Sequence, residues 1–343
     1  MDAHSLFEIP PFRPPWWLTS GHAQTLGAVY WPGKLHEYRA VPRRIDFEDG
    51  DAVIVHDDCP AGWPADGRVA LLMHGLSGCH RSPLLVRLAA KLSERGVRVF
   101  RWDMRGCGAG AGLARRPYHA GRSEDLARVV DSVLAWCEPD RQSFADSISS
   151  PSLTLVGVSL SGNILLKYLG EAPDRVPPQV KQAVAVNPPI DLKRSVQSLD
   201  RSINRWYDRY FVGAMLRHLA ERQRLVPDAA MPDVMQRPRR LYDFDDWYTA
   251  PVSGFLNAAA YYEQSSAAQF LPQIRVPTTI FTARNDPMIP VEMFDHAAGR
   301  WSPRVKLMVS DGGGHVGYIG RRGIDPDEFW LDWRIVDLVT MNA

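Results

Sequence analysis

The chain has 343 residues, 45% of them hydrophobic, and a formal net charge of +1. That length suits an α/β domain carrying an insertion, and the balanced charge gives no global electrostatic case for nucleic acid or an anionic membrane as partner. No run is apolar enough to span a bilayer, and Asp2, Glu8 and the prolines after them leave no apolar signal-peptide core, so the expected location is cytoplasmic.

In chain order, Arg44–Phe47 and Ala52–His56 flank the turn Asp49-Gly50-Asp51, which predicts an antiparallel hairpin opening a sheet. Val69–Met73 follows as a short apolar strand, then a helix over Ser82–Arg95, then a strand over Val97–Trp102. Glu124–Trp136 reads as a helix with Ser123 as N-cap and Glu124 and Asp125 complementing its dipole. Leu153–Val156 is a strand, a helix follows Ser159, and Gln182–Val186 is the next strand. Near-continuous apolar strands alternating with helices argue for a parallel sheet covered on both faces. After Pro188-Pro189 the rhythm breaks into amphipathic helical patterns, notably Ile203–Arg224, with a Pro-rich stretch over Pro227–Pro238 and the aromatic, acidic run Asp243-Phe-Asp-Asp-Trp-Tyr248. Strands resume at Thr278–Thr282 and Val305–Val309, and a helix from about Asp327 closes the chain. Domain organisation is therefore expected as an N-terminal extension (1–43), a core (44–190 and 266–343) and a helical insertion (191–265) placed to cap a site; the alternative is a surface elaboration without gating.

The chemistry concentrates at Gly157-Val-Ser159-Leu-Ser161, a strand-to-helix turn of the G-x-S-x-G type with serine at its second glycine position. Such a turn exposes a hydroxyl above the sheet, and small flanking residues let strand and helix pass closely. A serine needs an adjacent base, and the base needs a carboxylate to fix its tautomer. His315, after Asp311-Gly-Gly-Gly, and Asp286, in Asn285-Asp-Pro287, each follow a predicted strand and complete the chain order Ser, Asp, His. Asp191 is the rival acid; Asp311 is less suited, being four residues from the histidine it would orient. Oxyanion donors are expected from the backbone N–H groups of Leu160, next to the serine, and Leu76, in the loop His74-Gly75-Leu76-Ser77-Gly78. His74 reads as a structural histidine of that loop rather than a base.

Two other chemistries are weighed and set aside. Cys79-His80 with His74 superficially resembles a ligand cluster but lacks the spacing of a zinc site, so no metal is expected. Gly106-Cys-Gly-Ala-Gly-Ala-Gly112 follows a strand, but its spacing is not that of a dinucleotide loop and Arg115-Arg-Pro117 interrupts the helix that would hold a pyrophosphate; no cofactor is expected and the run reads as a loop at the site's edge. The four cysteines, Cys59, Cys79, Cys107 and Cys137, read as reduced thiols.

These motifs in combination resemble the YheT-type branch of the α/β-hydrolases, related to the mammalian α/β-hydrolase-domain esterases and lipases. The similarity rests on Pro15-Trp-Trp-Leu-Thr-Ser-Gly-His-Ala-Gln-Thr25, His74–Gly78, Met104–Cys107, Tyr118–Asp125, Phe244–Pro251 with Gly254-Phe255, Asn285–Pro287 and Gly314–Gly317. The resemblance implies an α/β-hydrolase fold, with a mostly parallel eight-stranded sheet, helices on both faces and a helical cap. It also implies Ser159, Asp286 and His315 as the triad of a serine esterase, and the apolar, aromatic insertion suggests a small-molecule ester with an acyl or otherwise hydrophobic group as substrate. The membrane anchor of the mammalian relatives has no counterpart here, which leaves only peripheral membrane contact open. Two alternatives share the fold: an acyltransferase using the same three residues, and a catalytically silent binding protein.

Overall fold

The computed structural model describes residues 9–341 apart from 32, 35, 38, 139–149, 233–236 and 299–300. Residues 1–8 of the N-terminal extension and 233–236 of the Pro-rich stretch therefore lie outside the described residues.

Helix α1 (Gly21–Tyr30) comes first, capped by Ser20, whose hydroxyl accepts the Ala23 N–H. Strands β1 (Val41–Asp46) and β2 (Ala52–Asp58) then pair antiparallel, Ile45 opposite Val53, around the expected acidic turn. The alternation that follows is β3 (Arg68–Met73), α2 (Pro83–Ser93), β4 (Arg98–Asp103), α3 (Ser123–Cys137), β5 (Ser152–Val158), α4 (Leu160–Glu171) and β6 (Val180–Val186). Between β6 and β7 (Thr278–Ala283) run α5 (Leu192–Leu199), α6 (Arg205–Leu225), α7 (Leu241–Phe244), a π-helical turn (Asp245–Thr249), α8 (Ala250–Val252) and α9 (Ala258–Ser265). Helix α10 (Glu292–Ala298), β8 (Val305–Ser310) and α11 (Trp330–Met341) complete the chain.

The strands form one eight-stranded sheet in the order β1-β2-β4-β3-β5-β6-β7-β8, parallel from β4 to β8 and antiparallel only where β2 meets β1 and β4. Successive β3 side chains point to opposite faces, as strand geometry demands. Leu71 and Met73 enter a core with α3 and α4, whereas Ala70 and Leu72 join α2 and α11 through Leu85, Leu88 and Ile335. Both faces are thus buried, which is why the strands read as continuous apolar runs. Because β3 lies between β4 and β5, the chain leaves it in one direction and returns on the other. The loops after β3 and β5 consequently part at the C-terminal edge, where α/β sheets bind ligands.

Two local expectations are corrected. Ser123 does not cap α3: Arg122 holds the cap position without a side-chain cap bond, and the Ser123 hydroxyl instead donates to Glu171 Oε2 at 2.6 Å and accepts from Lys167 Nζ at 2.9 Å. The buried Lys167 ammonium and the more exposed Glu171 carboxylate on α4, both charged, outcompete a backbone amide for that hydroxyl. The last helix begins at Trp330 rather than near Asp327, because Asp327 turns its carboxylate onto Phe329 N–H, Trp333 Nε1 and Lys91 Nζ.

Candidate active site

Ser159 stands between the end of β5 and the start of α4 with φ 54° and ψ −117°, a region that side-chain-bearing residues rarely adopt. Such strain persists only when the surroundings enforce it. Here the Ser159 N–H donates to Val186 O at 2.8 Å, and its carbonyl accepts Gly162 N–H at 2.9 Å. Gly157 is required by the crossing of strand and helix: a Cβ there would meet Ser161 O at 2.6 Å. Ser161, in place of the second glycine, is fully buried; its hydroxyl donates to Met73 O and accepts the Val158 N–H, both at 2.8 Å. The departure from the pattern thus ties the turn to β3. Ser161→Gly is expected to cost about 1–3 kcal/mol by leaving those buried partners unmet; a urea midpoint equal to wild type would contradict this role.

His315 and Asp286 converge on that serine. His315 Nδ1 lies 2.9 Å from Asp286 Oδ2, and Nε2 lies 2.9 Å from Ser159 Oγ. An ionised carboxylate only accepts, so Nδ1 carries the proton and Nε2 is left to accept from the serine hydroxyl. Asp286 is fixed from every side: Oδ2 also accepts Asn187 Nδ2 at 2.7 Å, and Oδ1 accepts the N–H groups of Met288 at 2.8 Å and Ile289 at 3.0 Å. Four donors on this buried carboxylate fix its position and hold the imidazole in one orientation.

The residues expected to supply oxyanion donors line the same cavity as Ser159. Leu160 is the first residue of α4, so its N–H has no carbonyl one turn back to serve. The loop after β3 passes against the serine: a Cβ on Gly75 would lie 3.2 Å from Ser159 Cβ. Leu76 follows, and both Leu76 and Leu160 line the cavity into which Ser159 opens. Tyr118 steadies this loop, its hydroxyl accepting the Ser77 N–H at 2.9 Å.

The rivals are placed elsewhere. Asp191 caps α5, accepting Arg194 N–H at 3.0 Å, and Asp311 is exposed beside Arg284. His74 is engaged at both ring nitrogens, Nδ1 donating to Gly75 O at 2.8 Å and Nε2 accepting Met104 N–H at 3.2 Å, while burial lowers its pKa and keeps it neutral. The grouping of Cys79, His80 and His74 weighed in the sequence does not assemble as such. His80 instead joins His56 on the carboxylate of Asp103, their candidate ligand atoms within 4.8 Å of one another, and that carboxylate already takes four hydrogen bonds.

A family model described as alpha/beta hydrolase fold matches residues 70–321. The chain belongs to this family. Within it, the chain is 28% identical to YheT of Escherichia coli (strain K12), a protein named as a proposed esterase, over 99% of this chain and 96% of that protein. It is 26% identical to the medium-chain fatty acid ethyl ester synthase/esterase 2 of Saccharomyces cerevisiae (strain ATCC 204508 / S288c), over 76% of this chain and 64% of that protein. The fold is shared with an esterase of Pyrococcus furiosus at a TM-score of 0.56 and 14% identity, covering 98% of this chain and 99% of that one.

This α/β-hydrolase carries supports for its site that sequence reasoning missed. Asn187, one residue beyond β6 and at φ 44°, braces Asp286, but an asparagine before two prolines signals only a turn. Thr25 on α1 accepts the His315 N–H at 2.8 Å, and Asn285 Oδ1 accepts the Gly314 N–H at 3.0 Å. The N-terminal motif therefore grips the histidine loop, a contact across 290 positions that local patterns do not reveal. The cavity above Ser159 is walled by Leu192, Val196 and Leu199 of α5, Phe211 and Met215 of α6, and Met288 and Ile289 after β7. Among the described residues no helix is long and apolar enough to cross a membrane.

Proposed function

We propose that the protein is a serine hydrolase of carboxylic esters with a hydrophobic acyl or lipid-like group. The observation that carries this reading is the continuous hydrogen-bonded chain from Ser159 Oγ through His315 to Asp286, opening into an apolar cavity. The hydrolase family and the esterase names of its relatives support it. In the mechanism, His315 Nε2 takes the Ser159 proton as Oγ attacks the ester carbonyl, and the Leu76 and Leu160 amides stabilise the oxyanion. Collapse expels the alcohol, which takes the proton back from His315, and leaves an acyl-enzyme. Water, deprotonated by the same imidazole, then releases the acid and regenerates the serine. Helices α5–α9 act in this scheme as the cap that surrounds the acyl chain.

A second reading has the acyl-enzyme pass its acyl group to an alcohol; the synthase half of the yeast relative's name favours testing it. The experiment is fluorophosphonate labelling with localisation of the adduct, followed by turnover of p-nitrophenyl esters over a range of acyl lengths with and without added ethanol. An adduct on Ser159 and acid release are expected. Ester formation as the main product would favour the second reading, and no adduct and no turnover would leave a silent binding protein.

A further inference from the structure

One wall of the cavity has no part in that chemistry. Asp245 and Thr249, at the two ends of the π-helical turn, line the same cavity as Ser159 and His315. π-Helical turns are rare and cluster at functional sites; their wider winding places positions four apart side by side. Most of the cavity lining is apolar, so a carboxyl there demands an explanation. Asp245 is 7% exposed, its Oδ2 accepts the Tyr262 hydroxyl at 2.7 Å, and among the described residues no cationic side chain pairs with it. Burial accordingly pushes its pKa up to about 6, against the hydrogen bonding that opposes the rise. Thr249 is 3% exposed, and its Oγ1, beside that carboxyl, has no hydrogen-bond partner of ordinary geometry among the described residues.

Were Asp245 there only to hold Tyr262, its carboxyl would have no cause to stand on an apolar cavity wall beside a second hydroxyl that makes no hydrogen bond of ordinary geometry. We infer that Asp245 and Thr249 together receive a hydroxyl group of the ester substrate, which donates to the carboxyl and accepts from the threonine. An alcohol both donates and accepts, matching an acceptor set beside a hydroxyl. An ammonium only donates and a carboxylate only accepts. The inference rests on the ester-hydrolase reading and narrows it to hydroxylated esters, the hydroxyl borne by the acyl chain or by the alcohol portion.

The test compares kcat/KM for matched substrates. One arm sets p-nitrophenyl octanoate against its monohydroxy derivatives, the hydroxyl walked along the chain, with the corresponding amino derivatives as cationic controls. The other sets propyl octanoate against monooctanoylglycerol. In at least one arm wild type should favour the hydroxylated ester by about 10- to 100-fold, the discrimination expected when a buried polar pair is otherwise left unmet. Thr249→Val should reduce that ratio about 3- to 10-fold, and Asp245→Asn should remove most of it. Each ratio is internal to one protein, so a general loss of turnover cancels, and fluorophosphonate labelling of Ser159 reports whether the site is still assembled. Equal rates for plain and hydroxylated esters, preference for the amino derivatives, or a ratio unchanged in both variants would each overturn the inference while Ser159 labelling stands. Absence of labelling and of all turnover in wild type would remove the ester-hydrolase reading, and this inference with it.

Discussion

Ser159→Ala is expected to lower kcat toward a carboxylic ester by about 10^4- to 10^6-fold, and Asp286→Asn by about 10^3- to 10^4-fold, while the double variant falls no further than Ser159→Ala alone. In the proposed mechanism the first loss removes the atom that would form the acyl-enzyme. The second acts through the imidazole: an amide at position 286 can present an N–H to His315 Nδ1, favouring the tautomer whose Nε2 carries a proton and cannot accept from Ser159. The 2.9 Å contacts on both sides of the ring make the three groups one unit, which is why their losses do not add. Turnover of a p-nitrophenyl ester by the three variants measures this. Additive losses, or an Asp286→Asn enzyme within about tenfold of wild type, would mean that Asp286 does not orient the base and that the acid must be sought elsewhere. Ser159 also occupies φ 54°, so the alanine variant should relieve none of the backbone strain and should unfold close to the wild-type midpoint.

The sheet and the meeting of Ser159, His315 and Asp286 were legible because they depend on local signals: apolar runs of strand length, a strand–serine–helix turn, and an acid and a histidine each just past a strand. The supports were not, because they are made by pairs far apart in sequence. Gln24, which fastens α1 to Ile319 through both its amide N–H and its carbonyl, looks like any polar residue on a helix. Arg105 looks like a surface cation, yet it is buried among Asp49, Asp51 and Asp125. The acids of the first hairpin turn thus do more than turn the chain. Ser123 was misread for the same reason, its cap pattern being sound locally and overruled by Lys167 and Glu171 from another helix. Burial of polar partners decides these positions, and burial is a property of the assembled fold.

Asp103 shows how far such a hidden support reaches. It ends β4, is completely buried, and accepts four hydrogen bonds: His56 Nε2 at 2.9 Å, His80 Nδ1 at 2.8 Å, His80 N–H at 2.6 Å and Ala109 N–H at 2.8 Å. The glycine-rich run is explained by the same carboxylate, since a Cβ on Gly108, at φ +53°, would lie 2.2 Å from Asp103 Oδ2. His80 closes the segment that begins at His74, so one side chain ties the loops after β3 and β4 to β2. Burial by itself would raise the Asp103 pKa, but the hydrogen bonds from His56 and His80 outweigh it and hold the carboxyl well below its usual range. A folded-state pKa below the unfolded value contributes stability that is complete above the ordinary carboxylate pKa, about 4, and is lost as pH falls through the lower folded value. Asp103→Asn turns an amide N–H toward donors and leaves them unmet, at an expected cost of about 3–5 kcal/mol at neutral pH. Urea denaturation of both proteins should show the gap at its full size at pH about 7 and narrowing only as pH drops below about 4. A gap under about 1 kcal/mol at neutral pH, or one that widens in acid, would contradict a charged Asp103 as the tie between these loops.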